Sequence, residues 1–217
     1  MYNDIGLLGI DMQGGGASVV LIHLLAALIA YLMGSINPSL IQAKLAGVDI
    51  RKEGSGNPGT TNTLRVLGKK AAAITLCVDI LKGVLAVVLA GVLLGQNVAM
   101  TACFCVFVGH VYPVFYGFNG GKGVATAFGS LAAIHPAIGF GCLLVVVLTV
   151  LISRYVSLGS ITGAIACPIL SYVFLPGFTM IGAVMALIVI WRHKTNIQRL
   201  LAHEENKLTF HGKYEKK

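Results

Sequence analysis

The chain has 217 residues, of which 56% are hydrophobic and only 11% are charged. A mean hydropathy of +0.84 and several long apolar runs exclude a soluble core and predict an all-α protein that crosses a membrane several times. The net charge of +8 is spread over the breaks between apolar runs rather than along one soluble face, which disfavours a nucleic-acid-binding protein.

Seven helical segments are predicted to form a single integral membrane helical bundle. The first covers roughly residues 19–45, and later segments turn at residues 95–97, 135–136 and 176–177. Between residues 123 and 153 the chain must leave and return in two arms of about 15 residues each, which form about 22 Å of helix against an apolar core of about 30 Å. We therefore expect the fourth segment to be short or re-entrant.

The distribution of charge predicts how the bundle is oriented. Residues 1–18 contain Asp4 and Asp11 but no lysine or arginine, whereas the later polar breaks and the C-terminal tail are basic. By the positive-inside rule, the N-terminus faces outward and the C-terminus faces the cytoplasm. We expect a flexible extracytoplasmic leader at residues 1–18, one membrane domain at residues 19–201 and a basic cytoplasmic tail at residues 202–217.

The first polar break, at residues 54–65, has the sequence G-S-G-N-P-G-T-T-N-T-L-R. Its three glycines and its proline disfavour a regular helix, so we expect a loop through this stretch, with Arg65 at the entrance to the next segment. A loop dense in amides and hydroxyls that leads into a helix start is suited to phosphate without a metal. The alternative is a membrane loop that only turns the chain.

The second polar break, at residues 117–126, has the sequence G-F-N-G-G-K-G-V-A-T. It lacks Walker spacing, which disfavours nucleotide hydrolysis. Its glycines allow the backbone to approach an anion, Lys122 supplies charge, and a helix that begins near Val124 offers its positive end. The alternative is a flexible hairpin with an interfacial lysine.

The third stretch, R-H-K-T-N-I-Q-R-L at residues 192–200, follows Trp191. On a continuous helix, Asn196 shares one face with both Arg192 and His193. That face could reach the two glycine-rich loops, although a basic helix that binds anionic lipid remains the alternative. Three phosphate-suited stretches on one side of the membrane favour an anion site.

Ionisable residues inside the apolar segments are candidates for function or for structure. Asp79 and Lys82 are three residues apart on one helix, so they are expected to pair, and both roles remain open. His110 is expected to be a packing residue rather than a ligand.

Three ordered motifs resemble the signature stretches of the PlsY family. These are S-G-N-P-G-T-T-N at residues 55–62, G-G-K-G-V-A-T at residues 120–126 and R-H-x-x-N-I-x-R-L at residues 192–200. PlsY proteins are bacterial membrane glycerol-3-phosphate acyltransferases that use acyl phosphate. The likeness extends over roughly residues 27–201.

The resemblance implies transfer of a fatty acyl group from acyl phosphate to the sn-1 hydroxyl of glycerol 3-phosphate. The products would be lysophosphatidic acid and inorganic phosphate, in the first step of bacterial phospholipid synthesis. The resemblance also implies a catalytic domain in the plasma (inner) membrane whose active site faces the cytoplasm. No cofactor and no metal ion are expected. We expect a functional link to the enzyme that makes acyl phosphate.

The resemblance also implies the site residues. The catalytic residues, which line the glycerol 3-phosphate site, are Ser55, Arg65, Lys122, His193 and Asn196. The substrate-binding residues are Gly54, Gly56, Asn57, Gly59, Thr61, Asn62, Gly120, Gly121, Gly123 and Arg192. Among them, Asn57, Thr61 and the neighbouring amides are the expected contacts of the donor phosphate.

The residues themselves fit direct transfer. The phosphate of an acyl phosphate leaves as a stable anion, so a strong general acid is unnecessary. No H-x-x-x-x-D signature and no evident Ser–His–Asp or Cys–His set occurs, which disfavours a covalent acyl-enzyme. The proton acceptor is either His193 or a substrate phosphate oxygen. We favour the phosphate oxygen because the three stretches contain no acidic residue.

Two other classes of protein remain as alternatives. A transporter of organic phosphates or lipid head groups also needs a cationic pocket, but its site would lie near the bilayer midplane. A non-catalytic membrane anchor that binds anionic lipid explains the basic tail but not the two glycine-rich loops.

Overall fold

A computed structural model describes residues 6–8 and 16–208, and all the regular structure in these residues is helical. The all-α prediction is therefore confirmed. The chain divides into two compact units, Met1–His135 and Pro136–Lys217.

The first unit contains six α-helices in its described residues. They are α1 (Ala17–Ser35), α2 (Pro38–Leu45), α3 (Thr60–Leu67), α4 (Lys69–Leu94), α5 (Gln96–Val111) and α6 (Val124–Ile134). A 3₁₀ turn, Val114–Tyr116, follows α5. Pro38 begins α2, and the amide oxygen of Asn37 caps that helix by accepting a hydrogen bond from the Leu40 amide at 3.0 Å.

Small residues bring the long helices of the first unit close together. A Cβ on Gly34 of α1 would meet the carbonyl oxygen of Val106 in α5, and a Cβ on Gly129 of α6 would meet that of Ile80 in α4. Such close backbone packing is a main source of helix association in lipid, where burial of apolar side chains gives little driving force. The buried core of this unit is accordingly rich in alanine and valine.

The second unit contains four α-helices in its described residues. They are α7 (Pro136–Ser153), α8 (Val156–Phe174), α9 (Thr179–Arg192) and α10 (Lys194–Leu201). A 3₁₀ turn, Pro176–Phe178, joins α8 to α9. Gly159 and Gly163 of α8 lie against Val146 of α7, so this helix pair also packs through small residues.

Five helical stretches of the described residues are long and apolar enough to cross a membrane. They are Ala17–Leu45, Lys69–Leu94, Gln96–Tyr116, Pro136–Ser153 and Val156–Phe174. The helices that precede and follow His193 form a bent pair that would make a sixth crossing. The predicted short segment is α6, which has 11 residues. The next helix, α7, has 18 residues, so the two arms differ in length although the sequence predicted about 15 residues for each. The count of seven segments and their orientation stay predictions.

Part of the predicted leader lies among the described residues. The amides of Leu7 and Leu8 donate to the carbonyl oxygens of Val92 and Leu93 near the end of α4, at 2.8 and 3.2 Å. Residues 1–5, 9–15 and 209–217 lie outside the described residues. The division into leader, membrane domain and tail therefore stays a prediction.

Candidate active site

The first polar break is only partly a loop. Helix α3 begins at Thr60, so Thr61, Asn62 and Arg65 are helical, and the prediction of a loop through residue 65 is wrong. The reason is local, because neither glycine nor proline occurs between Gly59 and the end of α3 at Leu67. The amides of Asn62 and Thr63 donate to the Gly59 carbonyl at 3.1 and 2.9 Å, so the amides at the start of α3 that suit an anion are those of Thr60 and Thr61.

Asn62 holds the loop in shape. Its side chain is buried, with 1% exposed. Its amide oxygen accepts a hydrogen bond from the Ser55 amide at 2.8 Å, and its Nδ2 donates to the carbonyls of Ile50 at 3.2 Å and Glu53 at 2.9 Å. Gly54 has a φ of +59°, and a Cβ there would strike the Asn62 amide. The loop that presents Ser55 is thus ordered by one buried amide group.

The predicted site residues of this loop are accessible to different degrees. Ser55 is exposed, whereas Asn57, Thr61 and Arg65 are half-buried. Gly56 has a φ of +70°, a left-handed conformation that favours glycine.

The second polar break is seated on the end of α5. The amides of Gly120 and Gly121 donate to the carbonyls of Val111 and His110, each at 3.2 Å. A Cβ on Gly120 would strike the His110 carbonyl oxygen, and one on Gly121 would strike the His110 imidazole. Close contact with α5 therefore requires glycine at both positions, and the amides that were expected to approach an anion bond to the protein instead.

Lys122 lies between this packed segment and the start of α6. It is half-buried, and Gly123, with a φ of +82°, precedes the helix that begins at Val124 as predicted. A Cβ on Gly123 would strike the ring of Phe107. Tight packing on both sides of Lys122 leaves its backbone little freedom.

Arg51 joins the two loops of the first unit. Its Nη2 donates to the carbonyl oxygens of Tyr116 at 2.9 Å and Asn119 at 2.7 Å. The structure therefore brings together the loops that contain Ser55 and Lys122, two of the three predicted stretches. The third stretch belongs to the second unit.

In the second unit the helix breaks at His193. Helix α9 ends at Arg192, α10 begins at Lys194, and the two are bent by 58°. The expectation of one continuous helix with Arg192 and Asn196 on a shared face is therefore wrong. The break falls where an apolar helix gives way to a short amphipathic one, which favours a change of direction at a membrane surface.

His193 is oriented by its own helix. The side chain is 3% exposed, and its Nδ1 lies 2.8 Å from the carbonyl oxygen of Val189. Because a carbonyl only accepts, Nδ1 must hold a proton. In the neutral ring, Nε2 is then an acceptor, and only the protonated ring can donate through Nε2.

Glu205 is a residue that the sequence analysis misses. Its carboxylate accepts hydrogen bonds from Ser157 Oγ at 2.9 Å and Asn196 Nδ2 at 2.7 Å, and it pairs with Arg199 Nε at 2.7 Å. Burial acts to raise the pKa of Glu205, but the hydrogen bonds from Arg199, Asn196 and Ser157 outweigh it and leave the pKa below its ordinary value. The only signal in the sequence is an acidic pair within a basic tail.

The comparisons with known proteins agree with the resemblance. The profile of the family described as glycerol-3-phosphate acyltransferase matches residues 24–203. A glycerol-3-phosphate acyltransferase of Thermoanaerobacter sp. (strain X514) is 44% identical over 187 residues, which cover 85% of this chain and 94% of the relative. One from Clostridioides difficile (strain 630) is 45% identical over 194 residues, which cover 86% and 95%.

Two crystal structures of PlsY, an integral membrane glycerol 3-phosphate acyltransferase, share the fold. The glycerol 3-phosphate form has a TM-score of 0.82 and 39% identity, and the match covers 87% of this chain and 96% of that one. The lysophosphatidic acid form has a TM-score of 0.79 and 38% identity with the same coverage. This chain is accordingly a multi-pass membrane protein and an acyltransferase, and it belongs to the glycerol-3-phosphate acyltransferase (PlsY) family.

Proposed function

We propose that the protein transfers a fatty acyl group from acyl phosphate to the sn-1 hydroxyl of glycerol 3-phosphate. The observation that supports this most directly is the pair of phosphate-suited loops that Arg51 joins in the first unit. The PlsY relative has been crystallised in glycerol 3-phosphate and lysophosphatidic acid forms, which are the proposed acceptor and product.

The reaction is proposed to occur at the cytoplasmic face of a bacterial plasma (inner) membrane. The basic breaks and tail support this orientation through the positive-inside rule. The catalytic domain is proposed to be residues 19–201, with the carboxylate of Glu205 added to it because it bonds to Asn196. The enzyme that makes acyl phosphate is the expected functional partner.

The proposed roles follow from charge and accessibility. The residues proposed to bind glycerol 3-phosphate are Ser55, Arg65, Lys122, His193 and Asn196. Arg192 is proposed to supply a further donor to phosphate oxygens. The glycines are proposed to allow close approach of the backbone, since the amides of Gly56, Gly59, Gly120 and Gly121 already donate to protein carbonyls. Ser55 is exposed and Arg65 and Lys122 are half-buried, so none of the three side chains is sealed from solvent. Asn57 and Thr61 are assigned to the donor phosphate.

The proposed chemistry is a direct acyl transfer. The sn-1 oxygen forms a bond to the carbonyl carbon, the bond between that carbon and the phosphate oxygen breaks, and inorganic phosphate leaves with the electron pair. The hydroxyl proton passes to a substrate phosphate oxygen. Cationic groups and amides offset the repulsion between the two phosphates, and holding the reactants in place contributes up to ~7–11 kcal/mol of barrier reduction.

The tautomer of His193 restricts its role. With Nδ1 donating to Val189, a neutral ring offers only an acceptor at Nε2, which suits a general base. Binding phosphate through Nε2 requires the imidazolium form. The substrate-base hypothesis therefore predicts a charged His193 in the complex, and His193→Gln should raise KM for glycerol 3-phosphate. Lost turnover with unchanged glycerol 3-phosphate affinity would instead identify His193 as the base.

The donor is tested on purified protein in detergent. Palmitoyl phosphate or palmitoyl-CoA is added with glycerol 3-phosphate, and both inorganic phosphate and lysophosphatidic acid are measured. We expect equal amounts of both products from palmitoyl phosphate and none from the thioester. Lysophosphatidic acid from palmitoyl-CoA alone, or phosphate release that does not need glycerol 3-phosphate, would contradict the proposal.

The site is tested with charge variants. Lys122→Met is expected to raise KM for glycerol 3-phosphate because a cation that binds phosphate is lost. The matched control is Lys70→Met, which removes an exposed lysine at the start of α4. Equal kinetic changes in both variants would indicate a general effect of charge rather than a site at Lys122.

A further inference from the structure

A buried ionic group lies beneath the two loops of the first unit. Asp79 Oδ1 and Lys82 Nζ are 2.8 Å apart, as their spacing on α4 predicts, and the two side chains are 2% and 7% exposed. Lys82 Nζ also lies 2.9 Å from the Gly34 carbonyl oxygen and 2.7 Å from that of Ile36. A protonated amine has three N–H donors, which these three oxygens accept.

His110 completes this group from α5. Its Nδ1 lies 3.2 Å from Asp79 Oδ1, 3.0 Å from Lys82 Nζ and 3.2 Å from Thr126 Oγ1. The amine, the carboxylate and the hydroxyl therefore all lie within hydrogen-bond distance of one ring nitrogen. His110 is 3% exposed, so its ring is fixed from α4 and α6 at once.

The other edge of the same ring supports the second loop. A Cβ on Gly121 would strike His110 Nε2, which places the Gly121 backbone directly against the imidazole. The His110 and Val111 carbonyls accept the amides of Gly121 and Gly120. A movement of His110 therefore displaces the backbone that leads to Lys122.

The Lys82 side of the group reaches the first loop. The Gly34 and Ile36 carbonyls that Lys82 holds lie where α1 gives way to α2. Asn37, the next residue, donates from Nδ2 to the Pro58 carbonyl oxygen at 3.3 Å. One buried group thus supports the backbone beneath both loops.

We propose that His110, fixed by Asp79, Lys82 and Thr126, is a positioning residue that sets the place of the Gly120–Lys122 backbone for glycerol 3-phosphate binding. The inference rests on the proposed function, in which Lys122 binds a substrate phosphate. It does not require His110 to touch a substrate. Its signature is a rise in KM for glycerol 3-phosphate that exceeds any change in kcat or in KM for the acyl donor.

The first test removes one partner of His110 at nearly constant volume. Thr126→Val is expected to raise KM for glycerol 3-phosphate between about twofold and tenfold, the range of one lost hydrogen bond. The matched control is Thr75→Val, because Thr75 is equally buried in α4 and its hydroxyl bonds to Gln42 Nε2 at 2.9 Å, away from both loops. This control is expected to leave the KM unchanged.

The second test changes His110 itself. His110→Phe keeps a ring but loses Nδ1, and we expect KM for glycerol 3-phosphate to rise more than tenfold. His110→Asn retains a side-chain amide, with both a donor and an acceptor, close to the position of Nδ1, so it should lose less than His110→Phe. Thermal unfolding in detergent shows which variants fold. If His110→Phe does not fold, Thr126→Val and His110→Asn decide the outcome.

The charged pair gives a third variant. Removing one partner alone leaves a buried charge uncompensated. Both are therefore neutralised together in the double variant Asp79→Asn/Lys82→Met, so that the protein can still fold. If the pair positions His110, the folded double variant keeps a raised KM for glycerol 3-phosphate. Wild-type KM in the double variant, or equal KM values for Thr126→Val, His110→Asn and Thr75→Val, would overturn the inference. An unchanged KM in Lys122→Met would overturn the proposed site instead.

Discussion

The loops of the first unit and the helix break of the second unit are held by different means. At the loops themselves, the Asn62 amide side chain, backbone hydrogen bonds and glycines packed on α5 fix the chain, and charged groups act only from beneath the loops or between them. Around the break, one ionised carboxylate holds Ser157, Asn196 and Arg199. Within the loops the direct contacts are neutral, whereas at the break they centre on one carboxylate, so the two regions should respond differently to pH.

The largest effect is expected where shape alone decides. In Gly120→Ala the new Cβ meets the His110 carbonyl oxygen, a backbone atom that cannot turn aside. We expect a loss of unfolding free energy upward of about 3 kcal/mol, beyond the usual range for overpacking. Thermal unfolding in detergent measures this loss, and acyl transfer should fall with it.

Gly117→Ala is the matched control for that substitution. Gly117 is in the same loop with a φ of +63°, but nothing lies within 4 Å of a Cβ built there. Only the strain of a left-handed residue is expected, about 1–2 kcal/mol. Equal losses in the two variants would mean that backbone conformation, rather than contact with α5, requires the glycines of this loop.

Asn62→Ala tests the neutral support of the first loop. It leaves the Ser55 amide and the Ile50 and Glu53 carbonyls without their partner. Each unpaired group is expected to lower the free energy of unfolding by about 1 kcal/mol. The sum, about 3 kcal/mol, should be the same at pH 5 and pH 7 because no ionisable group is involved. Asn119→Ala is the control, since this exposed amide bonds only to the Gly117 carbonyl oxygen and should change stability by less than about 0.5 kcal/mol.

Glu205→Gln tests the ionic support of the helix break. The substitution removes the ion pair with Arg199 and places an amide donor where one of the carboxylate oxygens accepts. A charge-assisted hydrogen bond contributes about 2 kcal/mol, which is the loss in unfolding free energy that we expect at pH 7. Glu204→Gln is the control because Glu204 is exposed.

The pH dependence of that loss distinguishes the two supports. Because the folded-state pKa of Glu205 lies below its ordinary value, the folded protein binds fewer protons than the unfolded chain between the two values. The stabilisation is therefore fully present well above the ordinary pKa of 4.5 and is lost as the pH falls through the folded pKa. The gap between wild type and Glu205→Gln should shrink below pH 5; a constant gap would show that the carboxylate charge is not the cause.

The sequence is sufficient for features that depend on near neighbours. It predicts the helical membrane architecture, the pairing of Asp79 with Lys82 and the helix start at Val124, because these depend on residues a few positions apart. It does not predict contacts between distant residues, such as Ser157 with Glu205, 48 positions apart, or Lys82 with His110, 28 apart. The helix break at His193 was also missed, because the residues themselves permit a continuous helix.

The smallest effect is expected at Arg51, which joins the two loops without shaping either. Its guanidinium is exposed and bonds to the Tyr116 and Asn119 carbonyls, so Arg51→Met should cost no more than about 1 kcal/mol of stability. We nevertheless expect KM for glycerol 3-phosphate to rise, because the link fixes one loop against the other. Lys52→Met, which removes a neighbouring exposed cation whose partner is Asp49, is the control. If both variants bind glycerol 3-phosphate like wild type, each loop keeps its place through its own packing, and the glycine contacts with α5 and the Asn62 amide are sufficient to position the site.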